Sequence, residues 1–177
     1  MIIPFKVGII SASDRASRGE REDKSGSLLK SLVESLPAEV VAYRVLPDDK
    51  ETLKKTLFHM ADLFFCDLIL TTGGTGLSPR DFTPEATREV IEKEIPGIPE
   101  TIRLGSFKKT NFAMLSRAVA GIRGKTLIIN LPGSPQAVQD AFNILRPILR
   151  HAIELIRGEV RDCQKLSHSL HSHSSLR

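Results

Sequence analysis

The chain has 177 residues, 41% of them hydrophobic and 26% charged, with a formal net charge of +4, which predicts one globular domain with a core of ordinary size. No apolar stretch approaches the ~20 residues of a membrane span, and Met1-Ile2-Ile3-Pro4-Phe5 carries no basic flank or cleavage site, so the expected location is the cytoplasm with no membrane partner. Dispersed basic residues, a single Tyr and no Trp argue against a nucleic-acid partner.

Phe5-Lys6-Val7-Gly8-Ile9-Ile10 predicts a buried first strand, after which Leu28, Leu29, Leu32, Val33 and Leu36 recur at helical spacing. Residues 40–46 read as a second strand, with Asp49 as N-cap of a helix that turns Leu53, Leu57, Met60, Ala61 and Phe64 inward. Residues 67–72 read as the third strand. Cys66 lies beside it as an expected buried, inert thiol, and Cys163 stands alone, so neither suggests a zinc site or a disulfide. A helix is expected from Thr83 as N-cap with Pro84 in its first position, and another over 100–107 after the break at Pro96-Gly97-Ile98-Pro99. Met114–Ile122 and Thr126–Leu131, joined by Arg123-Gly124-Lys125, predict paired strands with the first at an edge. The last helix opens at Ser134-Pro135, buries Val138, Phe142, Leu145, Leu149 and Ile153, bends at Pro147 and stops at Gly158. His59 and His151 fall on helix surfaces. The expected domain is 1–161, followed by a polar, flexible Ser/His-rich tail over 162–177.

This alternation predicts an α/β fold: a three-layer αβα arrangement around a mainly parallel, doubly wound sheet with an antiparallel edge strand. Ligands of such sheets sit beyond the carboxyl ends of the strands. Those ends run into Ser11, Ser13, Asp14 and Arg15; into Pro47-Asp48-Asp49; into Thr72-Gly73-Gly74-Thr75-Gly76; and into Asn130-Leu131-Pro132-Gly133-Ser134. The glycines allow backbone N–H groups to close on an anion, and a dinucleotide or P-loop fingerprint is absent. Asp48, Asp49 and Asp81 offer hard oxygen ligands for Mg²⁺, and Arg15, Lys24 and Arg80 offer positive charge. Phosphoryl-type transfer asks for little beyond positioning and charge. The plainer alternatives are that Asp49 merely caps a helix and that Asp81 is a turn residue bonded to Thr83.

Thr71-Thr72-Gly73-Gly74-Thr75-Gly76, Pro79-Arg80-Asp81, Thr83-Pro84-Glu85-Ala86-Thr87 and Asn130-Leu131-Pro132-Gly133 resemble the Mog-type molybdopterin adenylyltransferases. Ser13-Asp14-Arg15 and Asp23-Lys24-Ser25-Gly26 extend the likeness, which covers Phe5 to Gly158. The resemblance implies a trimer that transfers AMP from Mg-ATP to the terminal phosphate of molybdopterin, with hand-over of the product to a molybdate-inserting enzyme. It implies Asp48 and Asp81 as the essential, Mg²⁺-holding aspartates. The Thr72, Gly73, Gly74, Thr75 and Gly76 loop and Arg80 would then serve the nucleotide, while Ser13, Asp14, Pro132, Gly133 and Ser134 would line the rest of the bound substrate. The chain departs from some relatives by passing from Gly133 straight into its last helix, and at Leu77 and Ser78. The Moa-type branch shares much of this pattern. A non-catalytic carrier or scaffold and a nucleotide-pyrophosphate hydrolase are the alternatives from other classes.

Overall fold

A computed structural model describes residues 4–159, so Cys163, the three tail histidines and the expected tail lie outside the described residues. The elements are β1 Phe5–Ala12, α1 Asp14–Ser17, α2 Lys24–Glu34, β2 Ala38–Leu46, α3 Lys50–Asp62, β3 Leu68–Thr72, α4 Thr83–Arg88, β4 Lys93–Glu94, α5 Gly97–Phe107, a 3₁₀ turn Asn111–Leu115, β5 Ala120–Arg123, β6 Thr126–Leu131 and α6 Pro135–Arg157. The sheet has the order β2-β1-β3-β6-β5-β4, parallel through β6 and antiparallel in β5 and β4. Both faces are covered, which is why β3 and β6 are buried along their whole length.

Side-chain alternation divides the core between the faces. Val7, Ile9, Leu68, Leu70, Leu127 and Ile129 pack with Leu29 and Val33 of α2, Ile102 of α5 and Phe142, Leu145 and Leu149 of α6. Ile10, Ile69 and Ile128 point the other way, against Leu53, Leu57 and Met60 of α3 and Ala86 of α4. Because α2 and α3 lie on opposite faces, the winding reverses between β1 and β3, and a crevice opens at their carboxyl ends.

Asp49 caps α3 as expected, accepting from Thr52 N at 2.8 Å, and Ser134 caps α6, which Gly158 ends at a φ of 78°. That helix continues through Pro147 as one element. Four expectations need correction. Phe64, expected to turn inward from α3, lies beyond the helix's last residue, Asp62, and is exposed. Thr83 is the first residue of α4 and Phe82 precedes it without a side-chain cap, because the Thr83 hydroxyl faces Gly74 instead. The expected strand over 114–122 shrinks to Ala120–Arg123, since 111–115 winds into the 3₁₀ turn that Thr110 caps. The edge belongs to the two-residue β4, too short and too exposed to leave an apolar pattern.

Asn130, fully buried at the end of β6, donates to Thr71 Oγ1 at 3.0 Å and Thr87 Oγ1 at 2.8 Å and accepts from Val119 N at 3.1 Å. It thereby joins β3, α4 and the approach to β5. Asn130→Ala leaves the Val119 N–H without that acceptor and is expected to cost about 2–3 kcal/mol. Urea unfolding should show a lower midpoint at unchanged slope; an unchanged midpoint would mean that water replaces the amide at no cost.

Candidate active site

The carboxyl ends of the parallel strands finish level: Ala12 pairs with Leu46, Ser11 with Thr72, and Thr72 with Leu131. Their loops are tied to one another by short hydrogen bonds. Thr72 Oγ1 donates to Pro132 O at 2.6 Å, and Ser25 Oγ donates from α2 to Gly133 O at 2.7 Å. Glycine is demanded here by space as well as by backbone angle. Gly73 has a φ of +89°, and a Cβ on it would overlap the carbonyl oxygen of Ala12. Gly74, at +62°, packs against Thr83 Oγ1 and Asp48 Oδ1.

Asp14 and Asp48 lock the first two crossover loops reciprocally: Asp14 N donates to Asp48 Oδ2 and Asp48 N donates to Asp14 Oδ1, both at 3.1 Å. Arg80, from the third loop, donates Nε and Nη2 to the two Asp14 oxygens at 2.6 and 2.9 Å. This bidentate bond, assisted by the Asp48 backbone, holds the Asp14 carboxyl below its ordinary pKa despite partial burial. Asp14 and Arg80 therefore pair with each other, joining the first crossover loop to the third. Asp48 differs, because its Oδ1 is buried with no hydrogen-bond partner among the described residues. Asp81 lies across the same glycine loop, its Oδ2 2.8 Å from where a Gly76 Cβ would stand and accepting from Ser78 N at 3.2 Å. The expected alternative of an Asp81 bond to Thr83 is not made.

Burial, opposed by the Asp14 backbone N–H but reinforced by the Asp14 and Asp81 charges, pushes the Asp48 carboxyl above its ordinary 3.8. The folded state thus holds this proton more tightly than the unfolded chain does. Its stabilising contribution is full below about pH 3.8 and is lost as pH rises through the folded-state value. In metal-free protein at pH 7, Asp48→Asn should therefore melt higher than the wild type, and the gain should disappear in acid. Calorimetry at a series of pH values tests this, and a variant that melts lower at pH 7 would contradict it.

No group of three or more His, Cys, Asp or Glu able to enclose a metal occurs among the described residues. Two hard oxygen donors beside the glycine loop could take part in holding a divalent ion: the unpartnered Oδ1 of Asp48 and the carboxylate of Asp81, which accepts from Ser78 N. Two cavities flank the Gly73–Gly133 contact. One, of about 110 Å³, is polar and lined by Ser11, Ser13, Arg21, Lys24, Ser25 and Thr72 among others. The other, of about 520 Å³, is mostly apolar and reaches from Gly74, Gly76 and Asp81 to Ile102, Phe112 and Leu115. Ser13, Thr72 and Gly73 thus face the small cavity. Gly74, Thr75, Gly76, Asp81, Pro132 and Ser134 face the large one, Gly133 faces both, and Arg15 is an exposed residue outside the lining of either.

The family profile described as "Probable molybdopterin binding domain" matches residues 8–151. The chain belongs to this molybdopterin-binding family. It is 43% identical over 155 residues to the molybdopterin adenylyltransferase of Helicobacter pylori strain J99, covering 86% of this chain and 88% of that protein. The structure of MoaB from Thermus thermophilus, a molybdopterin biosynthesis enzyme, superposes with a TM-score of 0.83 at 49% identity, covering 87% of this chain and 97% of that one. The tungsten cofactor synthesizing protein MoaB of Pyrococcus furiosus gives 0.81 at 36%, covering 89% and 99%.

In this member of the molybdopterin-binding family, sequence reasoning missed parts of the site that come from irregular chain. Phe112 and Leu115 of the 3₁₀ turn and Ser116 just after it wall the large cavity; the strand expectation had absorbed Leu115 and Ser116 and left Phe112 unassigned. Asp23 caps α2, accepts from Ser11 Oγ at 2.8 Å and also from the Tyr43 hydroxyl, whose pKa burial and that carboxylate push up to about 12. Cys66 is buried with its thiol pushed by burial to about 11, in keeping with an inert group.

Proposed function

We propose that this chain transfers AMP from Mg-ATP to the terminal phosphate of molybdopterin, giving adenylyl-molybdopterin and pyrophosphate. The observation that carries the reading is the placement of Asp48 Oδ1 and Asp81 against one positively bent glycine loop in a chain 43% identical to a molybdopterin adenylyltransferase. A phosphate oxygen of the pterin attacks the α-phosphorus of ATP, the bond to the β-phosphate oxygen breaks, and no covalent enzyme intermediate is needed. Bound Mg²⁺, held by Asp48 and Asp81, would offset the triphosphate's negative charge and that developing on the leaving pyrophosphate. The chain itself supplies position. The small cavity, with Arg21, Lys24 and several hydroxyls, suits a phosphate group, and the apolar walls of the large one suit a flat heteroaromatic ring while excluding water.

The reading assigns this work to one domain, residues 1–161, acting in the cytoplasm and passing its product to a molybdate-inserting enzyme. No helix among the described residues is long and apolar enough to cross a membrane. A homotrimer is part of the proposal, supported by the exposed apolar side chains Leu77, Leu104, Phe107, Phe112 and Met114, of which Phe112 lines the large cavity. A second reading, a Moa-type paralogue, draws on the 49% identity to the Thermus protein. Incubating the purified chain with molybdopterin, Mg²⁺ and ATP separates the readings. Equal amounts of pyrophosphate and adenylated pterin are expected. Binding without either product would leave a carrier, and ATP breakdown independent of pterin would leave a hydrolase.

A further inference from the structure

Among the described residues the Asp81 side chain is held only from within its own turn, by Ser78 N, while its neighbour Arg80 is drawn away to Asp14. Residues 77–80 between Gly76 and Asp81 are exposed. What fixes this loop comes from a distant part of the chain. Arg117, in the extended stretch between the 3₁₀ turn and β5, donates Nε to Gly76 O at 2.7 Å and Nη2 to Asp81 O at 2.6 Å, clasping both ends of the exposed segment with one guanidinium. Its backbone N–H bonds Thr75 O at 2.9 Å, and its remaining Nη1 pairs with Glu85 of α4. A guanidinium is planar, so the two carbonyls it bridges are kept at a fixed separation, which a flexible ammonium would not enforce.

We propose that Arg117 is a positioning residue that sets where the Asp81 carboxylate stands relative to Asp48, and so governs affinity for the Mg²⁺–triphosphate unit. The inference rests on the adenylyl-transfer reading for its substrate, but its geometry is independent of the pterin. Arg117 touches backbone oxygens and Glu85, so it acts through Asp81 and not on the reacting atoms. Its link to the 3₁₀ segment also joins the wall of the large cavity to the acidic loop.

The test is a double-mutant cycle read by calorimetric titration of Mg-ATP into the full chain, with thermal melting as the control for folding. Arg117→Gln should weaken Mg-ATP binding about tenfold, the scale of coupling within one hydrogen-bond network, and raise the Mg²⁺ concentration needed for half-maximal turnover. Arg117→Lys, able to keep one carbonyl bond and the Glu85 pair, should fall between Gln and wild type and covers the case in which Gln does not fold. In an Asp81→Asn background the Gln change should alter Mg-ATP affinity by less than about twofold. Unchanged affinity in the single variants, or the same loss with and without Asp81, would overturn the proposal and leave Arg117 a purely structural residue. If wild type binds Mg-ATP but makes no adenylated pterin, the functional reading fails while this cycle still reports on Arg117.

Discussion

Asp81→Asn and Asp48→Asn are each expected to lower the rate of pyrophosphate release by about a thousandfold or more, with molybdopterin affinity nearly unchanged. Both substitutions keep the shape of the side chain and remove its charge. In Asp48→Asn the amide oxygen can still accept from Asp14 N, and the nitrogen takes the place of the buried Oδ1 beside Gly74. The crossover loops should therefore stay locked while the ligand set for the divalent ion is lost. Asp81→Asn similarly keeps an acceptor for Ser78 N. Asp48→Asn should in addition relieve the cost of burying the Asp48 charge. Steady-state pyrophosphate assays with parallel pterin-binding titrations decide the matter. Near-normal turnover in either variant would remove that aspartate from the chemistry.

Gly73→Ala is expected to destabilise the fold by about 3 kcal/mol, combining ~1–2 kcal/mol for a left-handed backbone with a Cβ and the rest for a forced collision. The collision partner is the Ala12 carbonyl, a backbone atom at the end of β1, an inner strand of the sheet, that cannot rotate away. Gly124→Ala is the matched control: its φ is +53°, yet nothing lies within 4 Å of its would-be Cβ, so only the backbone strain should appear. Chemical denaturation of both variants separates the two contributions. Equal losses would show that the β1 and β3 loops are not in the close contact described. A large excess for Gly73 would show that the crevice is narrow because a glycine closes it, which is also what brings loop N–H groups within reach of an anion.

Much of this architecture was legible in the sequence because the signals are local. Strand periodicity in Val7–Ile10 and Leu68–Thr72, the Asp49 and Ser134 caps and the αL stop at Gly158 all act within a few residues of themselves. The placing of Asp48, Asp49 and Asp81 on loops beyond parallel strands was legible too, while the choice of Asp48 and Asp81 among them came from the family resemblance. Partnerships across loops were not. Asp14 meets Arg80 across 66 positions and Arg117 meets Asp81 across 36, and neither separation leaves a pattern. Thr83 carried the composition of an N-cap, but the tight approach of Gly74 decided where its hydroxyl sits. The 114–122 stretch looked like a strand from its apolar ends. In the fold it carries Ser116 and Arg117, whose polar groups are needed at the cavity wall and the glycine loop, so pairing begins only at Ala120.

Binding of Mn²⁺ together with a non-hydrolysable ATP analogue, followed by anomalous diffraction from the crystal, tests the placement of the metal most directly. The account predicts a single ion coordinated by Asp48 Oδ1, a carboxylate oxygen of Asp81 and phosphate oxygens, beside the Gly73–Gly76 loop. An ion held by neither aspartate, or a triphosphate seated away from that loop, would contradict it.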